Sequence, residues 1–297
     1  MDWQQLSAAL TGGGHGLARE VVLELRLPRA GAAFVAGALL AVAGALMQVL
    51  VRNPLADPYI LGVSGGAATG ALGAMLLGLG GSWPAAGAFG GALLSTAGVF
   101  GLARRQGSWS STRLLLTGVV VAAGWGAAVS FMLAVSPTQG LRSMLFWLMG
   151  DLSGAGNPLP ALVVLAAGLA VATAIARQLN VLAHGELPAA ALGVAVDRMR
   201  VTVYVLASLL TAVAVTLAGS IGFVGLVVPH ILRLLGLRDH RVLLPGAALL
   251  GGALLTAADT LARTAFAPRQ LPVGVLTALL GVPLFLYLLG RSRVTVR

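Results

Sequence analysis

The chain of 297 residues contains no cysteine, and all 19 of its basic residues are arginine, so lysine is absent as well. Without thiols there is no disulfide, no thiolate metal site and no cysteine nucleophile. Without lysine no G-x-x-x-x-G-K-S/T phosphate loop can be completed. Charge is scarce too. Only 9% of residues are charged, against about 25% in a soluble domain. The 9 acidic residues leave a net charge of +10, which in a soluble protein points to nucleic acid. Here 58% of residues are hydrophobic and the mean hydropathy is +0.94. The arginines therefore read as topology signals in a membrane, not as a nucleic-acid surface. At roughly 20 apolar residues per crossing there is room for about nine to eleven spans. The expected architecture is an all-α polytopic transmembrane bundle forming a single domain over 1–297.

Residues 1–29 do not read as a span, because Asp2, His15, Arg19, Glu20, Glu24, Arg26 and Arg29 are mixed with the turn-forming run Gly12-Gly13-Gly14. No signal-peptide pattern occurs there. Within them, 17–25 reads as a short amphipathic helix lying on the outer surface. Uncharged runs follow at 30–50, 58–80, 83–103, 114–135, 159–176, 201–219, 221–236, 242–262 and 271–290, giving nine expected spans. The 221–236 run is short and holds Pro229, His230 and Arg233; the 242–262 run contains Asp259. The piece 141–149 is too brief to cross and is expected to be an interfacial helix. With the C-terminus inside, 13 arginines fall on inside segments and six (Arg19, Arg26, Arg29, Arg142, Arg263 and Arg269) on outside ones, as the positive-inside rule requires. No internal repeat is visible.

Few side chains could carry chemistry. Gly62-Val63-Ser64-Gly65-Gly66 fits G-x-S-x-G, but a nucleophile elbow needs a preceding strand, and here the motif opens a span. The four histidines (His15, His184, His230 and His240) form no helical ligand pair, so a zinc site is not expected. Asp259 is the one acid deep in a span; Arg263, one turn on, is positioned to form a structural ion pair with it. The alternative use of Asp259 is coupling to a proton or ion. Gly62, Gly66 and Gly70, like Gly87 and Gly91, are four apart, a spacing that lets helices pack closely in lipid. Two inside segments look like more than connectors. One is VRNPLADP at 51–58, whose prolines stop one helix and reset the next. The other, 177–200, reads as two short helices broken near Gly193 and is a candidate docking element.

The blocks RLPR (Arg26 to Arg29), RNPLADPYILGVSGG (Arg52 to Gly66), FWLMGDLSG (Phe146 to Gly154) and LNVLAHGELPAAALGV (Leu179 to Val194) carry a specific resemblance. So do Gly219 to Gly246, ADTLAR (Ala258 to Arg263) and Leu271 to Leu289. In family order they resemble the permease subunits of type II ABC importers for iron chelates and vitamin B12. The resemblance implies a homodimer with two cytoplasmic ATPase subunits, an extracytoplasmic substrate-binding protein and a location in the inner (plasma) membrane. ATP and Mg would sit on the partner ATPase, with no cofactor on this chain. It implies an ATPase-coupling loop at 180–197 carried by Leu182, Gly185, Glu186, Ala190, Leu192 and Gly193. Arg26, Arg29 and Arg263 match positions that dock the binding protein; Asn53, Leu55, Ser111 and Thr112 match a cytoplasmic gate, although they would also suit caps and turns. Such permeases carry ten spans with both termini inside. The chain beginning Met1-Asp2-Trp3 is thus expected to have a truncated or misassigned start, the alternative being nine spans and an outside N-terminus.

The function expected is a non-enzymatic transport subunit moving a bulky metal chelate (vitamin B12, haem or a ferric siderophore) inward by alternating access. Its rivals are an ion-coupled secondary transporter acting through Asp259 and an intramembrane hydrolase using Ser64.

Overall fold

The computed structural model describes residues 17–104 and 111–292. Arg105, Arg293 and Arg297 of the arginine count, like His15, lie outside the described residues. Those described form no strand and, besides a single α-helical turn at Leu17–Glu20, twelve α-helices: α1 (Leu27–Val51), α2 (Val63–Leu76), α3 (Trp83–Arg104), α4 (Ser111–Val135), α5 (Thr138–Leu148), α6 (Leu159–Ala174), α7 (Ala176–Leu182), α8 (Glu186–Ala191), α9 (Val196–Ala218), α10 (Val224–Leu234), α11 (His240–Thr264) and α12 (Val273–Ser292).

α1 is the axis of the bundle. It is apolar all round, as a helix buried on every side must be, and nearly its whole length from Ala32 to Val51 is buried. α9, α10 and α11 pack directly on it. The expected surface helix at 17–25 does not lie apart. Leu17–Glu20 and a π-helical turn at Val21–Arg26 run without a break into α1. Pro28 supplies the reason: it has no N–H to give the preceding turn. The widened turn absorbs the mismatch, with the Leu27 N–H bonding back to the Val22 carbonyl.

All nine expected runs fold as helices, but not all as full crossings. α1, α3, α4, α9 and α11 are long and apolar enough to cross a membrane, and α6 with α7 forms a pair bent by 61°. α2 has 14 residues and α10 has 11, giving lengths of about 21 and 17 Å against a hydrocarbon core of about 30 Å. The runs 58–80 and 221–236 are therefore part-helical. Each short helix follows a non-helical stretch, 52–62 (with one 3₁₀ turn at Pro58–Leu61) and 219–223. Gly225 lies against both the Leu40 carbonyl and the Pro58 ring. That level is eleven residues from the end of α1, about 16 Å inside it. The element order long helix, break, short helix, two longer helices thus occurs twice, as α1–α4 and α9–α12, a repeat the sequence does not display.

Irregular backbone at this depth must be satisfied by protein, and the two breaks serve each other. The Ile221 N–H donates to Tyr59 Oη (3.1 Å), and Ser64 Oγ lies 2.8 Å from Ser220 Oγ. The Ser95 hydroxyl closes the Gly62 carbonyl at 2.8 Å, and Trp125 Nε1 donates to Ser95 at 2.9 Å. Asp57 accepts from the Tyr59 N–H at 2.8 Å, capping the 3₁₀ turn.

Small residues make these approaches possible. Gly66 and Gly70 of α2 face Gly91 and Gly87 of α3, so that a Cβ on any of the four would overlap the opposing carbonyl; the glycine spacing is a packing device. Gly44 meets the Gly225 backbone in the same way. Replacing Gly44 with leucine is expected to cost about 3 kcal/mol or more through overpacking. Gel filtration and thermal unfolding in detergent would check this; an unchanged midpoint would refute the close-contact account.

Candidate functional site

At the end of the bundle assigned to the outside by the arginine count, the start of α1 and the end of α11 enclose a cleft of about 330 Å³. It brings together Arg26, Arg29 and Arg263 with Glu24 and Gln270. Asp259 lies beneath, its side chain 2% exposed, and accepts from Arg29 Nη2 at 2.8 Å and Nε at 3.1 Å. Arg263 Nε approaches Asp259 Oδ2, the oxygen that also accepts from Arg29 Nε, to 3.1 Å, off the line of a hydrogen bond. The i,i+4 pair is present, and the more closely hydrogen-bonded partner is Arg29, 230 residues away in sequence. Arg29 Nη1 also donates to Gln270 at 3.1 Å. Its guanidinium is thus largely committed within the chain; the Arg26 residue is exposed at the rim. With three guanidinium groups against two carboxylates, the cleft keeps a positive balance.

At the opposite end, α7 and α8 form the expected pair of short helices. The break between them is at Gly185 (φ +124°), not at Gly193, which ends α8 with φ +80°. Both values suit glycine. Glu186 turns inward to Arg200, and Arg52 reaches the same carboxylate oxygen at 3.1 Å. Leu182 is buried, whereas Ala190 is exposed. Leu187 and Leu192 stand 86% and 72% exposed, an apolar pair displayed on one short helix and its end. Asn180 fastens this unit to α11: its amide donates to Asp239 at 2.7 Å, and its oxygen accepts from the His240 N–H at 2.9 Å. The Arg241 N–H, followed by the Asn180 amide, holds the Asp239 carboxyl below the usual carboxylate range.

Leu187, Arg52, Arg200 and Asn180 were not singled out by the sequence. The exposed Leu187 in an otherwise small-residue stretch was the available signal; the three polar partners lie too far apart in sequence to have given one.

Asn53 and Leu55 occupy the turn after α1, where the Asn53 side chain accepts from the Leu55 N–H at 2.9 Å. Thr112 is exposed in the first turn of α4; the side chain of Ser111 lies outside the described residues. No hydrogen bond joins Asn53 or Leu55 to Thr112 among the described residues. Asn53 therefore acts as a turn former, whatever else it does. Ser64 has Ser220 for its partner, not an imidazole. Among the described residues no three His, Asp or Glu side chains gather as a metal site.

Arg29→Met leaves Asp259 with only the less well aligned Arg263. We expect a loss of about 2–3 kcal/mol, because a buried carboxylate loses charge-assisted hydrogen bonds. Arg263→Met should cost less. Thermal unfolding of the two variants in one detergent tests the order, and equal midpoints would contradict it.

The whole bundle and both ends have counterparts in known proteins. The cobalamin import system permease BtuC of Halobacterium salinarum is 48% identical over 289 residues, covering 95% of this chain and 77% of that one. The vitamin B12 import system permease BtuC of Escherichia coli O9:H4 is 43% identical over 277 residues, covering 92% and 84%. An inward-facing metal-chelate type ABC transporter superposes with a TM-score of 0.85 at 31% identity, over 97% of this chain and 96% of that one. PsaBC from Streptococcus pneumoniae, at 20% identity and a TM-score of 0.59, shares the fold. Residues 1–291 match the FecCD transport family, and the chain belongs to that family of ABC transporter permeases.

Proposed function

We propose that this chain is the membrane-spanning subunit of an ABC importer that moves a bulky metal chelate of the vitamin B12 class inward across the inner (plasma) membrane. It would work by alternating access, as a pair of identical permeases with two cytoplasmic ATPase subunits and an extracytoplasmic binding protein. ATP and Mg would be held by the ATPase, since this chain has no lysine for a phosphate loop.

The observation that carries the proposal is the α7–α8 unit. It displays Leu187 and Leu192 while Glu186, Arg52, Arg200 and Asn180 tie it to α1, α9 and α11. An apolar knob on a rigid frame can pass a partner's movement into the spans; a lipid-resting loop needs no such frame. The relatives named as vitamin B12 permeases support the cargo class. Haem and ferric siderophores remain chemically related cargoes for the same assay. Asp259, already compensated by two guanidinium groups, is better suited to holding the outer ends of α1 and α11 together than to carrying a mobile ion.

Reconstitution into proteoliposomes tests the function: cobalamin uptake should require the ATPase and ATP. Uptake driven by a proton gradient without the ATPase would overturn the proposal. Leu192→Asp should abolish ATPase association while changing permease stability by no more than about 0.5 kcal/mol, as for other exposed positions. Retained association would remove α8 from the interface.

At the outer cleft, Arg26→Glu should weaken binding-protein docking more at low than at high salt, because exposed charges act through a screened field. A salt-independent or unchanged affinity would detach the cleft from docking.

A further inference from the structure

A second cleft, of about 450 Å³, opens beside α5 between the start of α3, the turn at 149–154 and the end of α9. Its polar wall carries Arg142, Ser143 and Asp151. Four residues of that wall, Ala85, Gly154, Thr216 and Leu217, also line an apolar groove of about 310 Å³ between α3, α6 and α9. The two spaces therefore adjoin across these four residues, a polar cleft beside an apolar slot.

The polar groups are prepared for a ligand. Arg142 is exposed and lies 5.5 Å over the Phe146 ring, and among the described residues it has no carboxylate partner. Asp151 is fixed by the Ser153 N–H (2.8 Å) and the Ser153 hydroxyl. An exposed guanidinium and a hydrogen-bonded carboxylate thus share one cleft without pairing with each other. The adjoining slot is walled by Phe89, Val164 and Val213. Its flanking helices present Leu93 and Leu94 on α3, and Leu162 and Val163 on α6, as exposed apolar side chains. Nothing among the described residues covers them.

We infer that this is a binding site for a phospholipid with an amine-bearing zwitterionic headgroup. The phosphate would take Arg142 and Ser143, the ammonium would donate to Asp151, and one acyl chain would fill the groove. Each feature excludes an alternative. An anionic headgroup such as that of phosphatidylglycerol offers Asp151 only neutral hydroxyl donors and brings no positive charge to balance the carboxylate. A choline headgroup carries positive charge but no N–H. A free phosphate compound would leave the apolar slot empty, forfeiting the burial that favours a lipid chain.

Native mass spectrometry of the purified, delipidated full chain tests the assignment with equal amounts of phosphatidylethanolamine, phosphatidylglycerol and phosphatidylcholine of identical acyl chains. Phosphatidylethanolamine should be retained most. Arg142→Gln should lower retention of all three by about tenfold, the scale of one charge-assisted hydrogen bond. Asp151→Asn should remove the preference for phosphatidylethanolamine over phosphatidylcholine while leaving retention itself. Val213→Trp, which fills the groove, should reduce all three. Equal retention of the three lipids by the unaltered chain, a preference for phosphatidylglycerol, or an unaffected Arg142→Gln would each overturn the inference. So would displacement of bound lipid by O-phosphoethanolamine alone, because the groove would then contribute nothing. The comparison among lipids on the unaltered chain decides the matter even where a variant fails to fold.

Discussion

In a hydrocarbon interior an unpaired backbone N–H or C=O costs several kcal/mol, and this chain leaves the helix twice at that depth, at 52–62 and at 219–223. Neither break could exist alone. The Ile221 N–H needs the Tyr59 hydroxyl, the Gly62 carbonyl needs Ser95, and the facing Ser64 and Ser220 hydroxyls pair. That mutual satisfaction fixes where α2 and α10 begin. It also explains why α1, whose Leu40 carbonyl meets Gly225, is buried almost throughout. The small residues follow from the same constraint. Backbones can bond across a break only if no side chain separates the helices that carry them.

The long spans were legible because one period of information suffices: an uncharged run of about 20 residues has few other uses. α5 was legible for the opposite reason, being too short to cross. What the runs could not reveal is that 58–80 and 221–236 are only partly helical. Hydropathy is blind to backbone conformation, and Tyr59 and Ile221 are as apolar as helical residues. Pro58, Gly219 and Gly222 were the local hints, but glycine and proline are also frequent inside membrane helices. The twofold element order stayed hidden because it rests on where helices stop, not on which side chains they carry.

The polar sites divide along a similar line. Asp259 with Arg263 follows from four-residue spacing. Arg29, the better hydrogen-bonded partner, lies 230 residues away and could be joined to Asp259 only by folding. Its place at the mouth was nonetheless implied by resemblance, which brought Arg26, Arg29 and Arg263 together before any geometry was known. The loop at 180–197 shows the reverse. Its two short helices were readable, yet the break fell at Gly185 because an extended residue with φ +124° is needed there to redirect α8. Glu186, which the resemblance assigns to that loop, braces it from within.

That bracing has a mechanical consequence. A contact between two subunits transmits movement only if the element touched is stiffer than the interface it serves. α8 has six residues, too few to be a stable helix by itself. Its stiffness must come from its ties: the Glu186 carboxylate held by Arg200 of α9 and by Arg52 beyond α1, and Asn180 held to the start of α11. Of these three helices α1 is the buried axis and α9 and α11 pack on it, and α1 and α11 are the two that Arg29 and Asp259 clamp at the far end. A displacement of α8 therefore acts on a connected set of helices whose opposite ends carry the arginine cleft. The two ends are thus joined by shared spans and by short polar clamps built on Glu186 at one end and Asp259 at the other.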